Sequence, residues 1–115
     1  MRKCLLILGV ILTAPAMGQE LTREQEIIAM TILGEARGEG EAGMYAVGCL
    51  IKQRKQNSSG KLSYSQICLK KWQFSCWNPN DPNRSQLKKL LANSSSAKYA
   101  KRVALNIDNL DLSFI

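Results

Sequence analysis

"ILGEARGEGEAG", residues 32–43, places four glycines and three glutamates in twelve positions. It closes a run that reads as an amphipathic helix, and it ends that run in a carboxylate. Working backwards, Thr22 is a good N-cap, and Gln25 three residues later completes a capping box. Glu24 and Glu26 fall in the first turn, where the helix dipole favours negative charge. Ile28, Ile32 and Glu35 share a face by i, i+4, i+7 spacing, and Ile27, Met30 and Leu33 widen the apolar side. The pattern predicts a helix over 22–36, stopped by Gly38 and Gly40.

Working forwards, 41–55 reads as a second helix. Met44, Val47, Leu50 and Ile51 form its apolar stripe, and Lys52, Arg54 and Lys55 cluster at its end. "QNSSGK", 56–61, is a loop, after which Ser63 caps a short helical segment over 64–70. "KKWQFSCWNPNDPN", 70–83, is irregular, with two prolines and three asparagines marking turns, and 70–80 has room for a short hairpin. Residues 85–93 and 96–108 read as two further helices, whose Leu87, Leu90, Leu91, Val103, Leu105 and Ile107 close a small core. The expected class is α+β and predominantly helical, a single small domain.

The first residues are set apart from that domain. "MRK" is a positive n-region, "CLLILGVIL" an apolar h-region and "TAPAMG" a small-residue tail, which is the pattern of a secretory signal peptide. Cleavage is expected after Gly18, with Ala16 as the alternative, leaving 19–115 as the working domain. The expected location is therefore secreted, periplasmic or cell-wall associated, as a monomer with no stable membrane span. Without Arg2 and Lys3 the net charge falls from +7 to +5, which suits a polyanionic partner. The basic residues are scattered rather than striped, so nucleic acid is not the expected one.

Cys49, Cys68 and Cys76 lie beyond the leader. Cys49 falls in an apolar helical segment, whereas Cys68 and Cys76 flank the irregular stretch eight residues apart. A Cys68–Cys76 disulfide is the expected pairing in an oxidising compartment, worth roughly 2–3 kcal/mol in the chain-entropy model. The chain contains no histidine. That removes Ser-His-Asp and Cys-His catalysis and the usual zinc hydrolases, so no metal or cofactor is expected. No Walker motif is present, and no GxGxxG opens a helix after a strand. What remains is carboxylate chemistry or no chemistry.

Glu35 is the candidate acid. The negative end of the helix dipole and partial burial against apolar neighbours both work against an anion there. A carboxyl group that keeps its proton is a ready general acid. The competing reading is a surface carboxylate paired with Arg37 or a lysine. Trp72, Phe74 and Trp77, interleaved with Gln73, Ser75 and Asn78, offer flat apolar faces beside polar groups, as a carbohydrate site needs. The competing reading there is that some of these rings are core.

At these residues the sequence resembles a known family. "AMTILGEARGEGEAGMYAVGCLIKQR" followed by "SYSQICLKKWQFSCW" is similar to the SleB-type cell-wall hydrolases, which include spore-cortex-lytic enzymes. The match covers about residues 25–78. The resemblance implies a lysozyme-like domain that acts on peptidoglycan glycan strands, with Glu35 catalytic. It implies substrate contacts at Arg37, Glu39, Gln73, Phe74 and Ser75, to which the aromatic cluster adds Trp77. It suggests a lytic transglycosylase with one catalytic glutamate; a hydrolytic muramidase and a non-catalytic wall-binding module are the alternatives. The chain departs from the family pattern in Gly40 in place of a proline and in Gln53-Arg54 in place of Asn-Arg. It also ends at "LDLSFI" where the family continues with a Gly-Ala-containing, Tyr-rich segment. The expectation is a domain shortened at its C-terminus, with an open-sided groove.

Overall fold

A computed structural model describes Leu12 and residues 20–114, with the side chain of Phe114 outside that set. The leader therefore lies outside the described residues, apart from Leu12, which rests half-buried on the core.

Helix α1 spans Arg23–Ala36, and its capping box is formed: Gln25 N donates to Thr22 Oγ1 (3.1 Å) and Thr22 N to Gln25 Oε1 (2.9 Å). A 3-10 turn over Arg37–Glu39 leads into α2, Gly40–Asn57. Gly40 begins α2 at φ +77°, in the left-handed region that favours glycine. The chain thus changes helix axis there instead of running on. Helix α3, Tyr64–Leu69, opens on a second capping box between Ser63 and Gln66. Helices α4, Leu87–Asn93, and α5, Ala97–Leu105, complete the set, each adjoined by a short 3-10 turn.

Helix α1 is the centre of the molecule. Ile27, Ile28, Ala29, Met30, Thr31, Ile32 and Leu33 are buried in unbroken succession, so no face of its middle meets water. Among the described residues, α2, α3, α4 and α5 all pack against it. Leu87 from α4 and Val103 from α5 are buried in the same core, with Leu90 and Leu91 packed on its edge. At Gly48 on α2, a Cβ would fall 2.6 Å from Val103 Cγ1, so α2 and α5 touch almost backbone to side chain.

Three expectations are corrected. The fold is predominantly helical, as expected, but the described residues contain no strand to make up the β part of the expected α+β class. The segment 70–80 is a chain of turns with a 3-10 turn at Ser75–Trp77 in place of a hairpin, because its amides bond locally, Gln73 N to Lys70 O and Asn78 N to Ser75 O. The expected Cys68–Cys76 disulfide is not formed. Among the described residues Cys49, Cys68 and Cys76 are buried free thiols, with Cys68 and Cys76 near enough to act on each other.

The C-terminal stretch does not hang free. Lys52 Nζ donates to Leu110 O (2.8 Å), Asp111 N to Tyr45 Oη (2.8 Å), and Cys49 Sγ lies 3.4 Å from Asp111 O. Leu110 is buried. Three side chains of α2 therefore hold the stretch around Leu110 and Asp111.

Candidate active site

The last turn of α1 carries Gly34 and Glu35. A Cβ at Gly34 would lie 2.5 Å from Cys76 Cβ and 2.7 Å from its Sγ. Only glycine lets the 75–77 turn press this closely on the helix. That approach delivers two donors to one carboxylate oxygen. Cys76 N donates to Glu35 Oε2 at 2.9 Å, and Ser75 Oγ donates to the same atom at 3.3 Å. Glu35 is half-buried, and the Cys76 thiol also lies in hydrogen-bond contact with its carboxylate. Two donors on one oxygen fix the direction in which the carboxyl group points.

Arg37 does not pair with Glu35. It donates from Nη1 to Leu33 O (3.2 Å) and from Nη2 to Asn83 Oδ1 (3.0 Å), and its carbonyl accepts from Ser96 Oγ (3.3 Å). It ties the end of α1 to the 81–83 turn and to the start of α5. Asp81, whose Oδ1 accepts from Asn83 N (2.8 Å), stands close enough to act on Cys76. Burial pushes the Cys76 thiol up, and the Glu35 and Asp81 carboxylates push it further. Two carboxylates thus act on a single thiol, which stays protonated and inert. Glu39 is exposed at the start of α2, beside Gly43.

The aromatic cluster divides three ways. Phe74 is buried, with the Arg54 guanidinium 4.7 Å above its ring. Trp77 is half-buried and donates from Nε1 to Thr31 Oγ1 (2.8 Å), while Thr31 in turn donates to Ile27 O (2.7 Å). Trp72 stands out in solvent. Phe74 is thus core, and Trp77 is anchored at its polar end. Gln73 and Ser75 are exposed. Gln73 borders a cleft of about 310 Å³ with Arg54, Asn57 and Lys70. A larger groove of about 600 Å³ opens near Glu26 and Met30, more than a helical turn before Glu35.

The structure therefore brings Glu35 and Ser75 together and keeps Arg37 and Phe74 in supporting places. The sequence reading missed the Cys76 amide, the Thr31 acceptor and the Arg54–Phe74 stack. Gly34 was the available signal for the first, since a glycine inside a helix invites close approach. Comparison with protein-family models, with curated proteins and with solved structures gave no match.

Proposed function

We propose that this protein is an exported enzyme that cleaves peptidoglycan glycan strands between N-acetylmuramic acid and N-acetylglucosamine, on a lysozyme-like fold, as a lytic transglycosylase. One observation carries the reading. The two sequence segments that suggested it, forty residues apart, meet at one carboxylate: Cys76 N and Ser75 Oγ both donate to Glu35 Oε2.

In this mechanism the Glu35 carboxyl group delivers a proton to the glycosidic oxygen as the C1–O bond breaks. The muramic acid 6-hydroxyl oxygen then bonds to C1, and its proton passes back to Glu35. The product is a 1,6-anhydro sugar, no water is consumed, and the acid is regenerated. The Cys76 amide holds Oε2 so that the carboxyl group keeps its aim. Gln73, Ser75 and Glu39, all exposed, are the side chains available to sugar hydroxyls.

A hydrolytic muramidase is the second reading, favoured by Asp81, which acts on the same thiol as Glu35 and would serve as the second carboxylate. Mass spectrometry of digested peptidoglycan decides between them: anhydro-muramic ends support the first reading and reducing ends the second. Wall binding without release of fragments would refute both and leave a binding module.

A further inference from the structure

Between Glu41 and Asp81 the chain has no Asp or Glu, and it has six Lys or Arg. The two large hydrophobic residues most exposed to solvent, Leu69 at 44% and Trp72 at 66%, both fall in this stretch. They are three residues apart, so their Cα atoms lie within about 10 Å. Leu69 borders a shallow trough of about 520 Å³ together with Leu62 and Lys70. Lys61, Lys70 and Lys71 are all exposed here, and Lys71 Nζ stands 5.3 Å above the Trp72 ring. Trp72 holds a φ of +68°, an unfavourable conformation for a bulky residue, and with it an indole that touches little of its own core.

Two carboxylates sit at the opposite end of α3, and Glu35 is engaged by Ser75 and Cys76. Glu24 accepts from Ser65 N (3.3 Å), and Asp108 accepts from Tyr64 Oη (2.6 Å). Neither neutralises the Leu69–Trp72 end. An apolar trough, an outward tryptophan and three free ammonium groups therefore share one corner with no acid among them.

We propose that this corner docks on an anionic lipid surface. A wall polymer or other polyanion would engage the lysines but leave Leu62 and Leu69 wet. A lipid interface takes both kinds of group. Indole and ammonium settle at headgroup depth, and the leucines reach the acyl boundary. None of the helices among the described residues is long and apolar enough to cross a membrane, so this is attachment along one surface corner. The inference does not rest on the glycan reading.

The test uses the full chain with vesicles of phosphatidylcholine alone or with 30% phosphatidylglycerol. The parent protein should sediment with the anionic vesicles and be released by 0.5 M salt. Lys70→Gln/Lys71→Gln should bind them roughly 30-fold more weakly, from two juxtamembrane charges lost. The anionic vesicles should shift tryptophan emission to the blue, and Trp72→Phe should abolish that shift. These side chains are exposed, so the variants keep the parent's circular dichroism. Comparison within one full-length background separates the corner from any contribution of the leader. Equal binding of parent and lysine variant, or an emission shift that survives Trp72→Phe, overturns the proposal. Binding to isolated wall sacculi with none to anionic vesicles also overturns it and assigns the corner to a wall polymer.

Discussion

Gly34→Ala tests whether the 75–77 turn presses on α1 as tightly as described. A new Cβ would meet Cys76 Cβ at 2.5 Å, Cys76 Sγ at 2.7 Å and Leu87 Cδ2 at 2.9 Å. Ordinary carbon contacts are about 3.5–4.0 Å, so all three neighbours must retreat. Cys76 and Leu87 are fully buried and have nowhere easy to go. Overpacking of this kind costs about 1–3 kcal/mol, and three simultaneous contacts argue for the upper end. Alanine returns up to about 1 kcal/mol of helix propensity. The net loss is about 1–2 kcal/mol, or a fall in melting temperature of roughly 5–15 °C for a domain of this size. The partner substitutions sharpen the test. Cys76→Ala removes only the sulfur contact and should leave Gly34→Ala unrescued. Cys76→Gly removes both cysteine contacts and should recover part of the loss in the double variant. Thermal unfolding followed by circular dichroism measures each. A Gly34→Ala protein that melts at or above the parent temperature would refute the close approach, and with it the account of how Glu35 receives its amide donor.

Glu35→Gln keeps the size and the acceptor for Cys76 N but has no carboxylic proton to give; release of glycan fragments should fall at least ~10²-fold with the fold intact, and near-parent lysis would sink the assignment. Thr31→Val removes the acceptor of Trp77 Nε1 and should cost about 1–2 kcal/mol, with Trp77 emission altered; an unchanged denaturation midpoint would count against that bond. Burial pushes the Cys49 and Cys68 thiols up from 9.0 to about 11 and about 12. Because the folded chain holds these protons more tightly, their contribution is full below pH 9 and is lost as pH rises through 11 to 12. Urea midpoints across that window should fall less steeply in Cys49→Ala/Cys68→Ala than in the parent, and identical slopes would contradict the free, buried thiols.

Local signals were legible in the sequence. Thr22 with Gln25 and Ser63 with Gln66 each fix a helix start within four residues, and both boxes formed. The ends of α1 and α4 were equally readable. What the sequence could not supply was which distant segment comes to rest on which. Gly34 announces a neighbour without naming Cys76. Phe74, Trp77 and Trp72 look alike in a string, yet Arg54, Thr31 and solvent respectively receive them. Spacing made Cys68 and Cys76 look like a pair; the structure places them near enough to act on each other while both remain thiols. Nothing in the string of the tail names Lys52 and Tyr45, which hold it from more than fifty residues earlier.

The enclosure of α1 has a dynamic consequence. A helix packed by all its neighbours cannot open alone, because exposing any face of it requires another element to leave. Its amides should therefore exchange with solvent mainly through the rarest, global opening of the chain. Glu35 sits at the end of that slowest-opening unit, so its position is set by the same free energy that keeps the whole molecule folded. In such a design the motion that admits a ligand must come from the turns on the far side of the carboxylate, at 70–83, while the helix that bears it stays still.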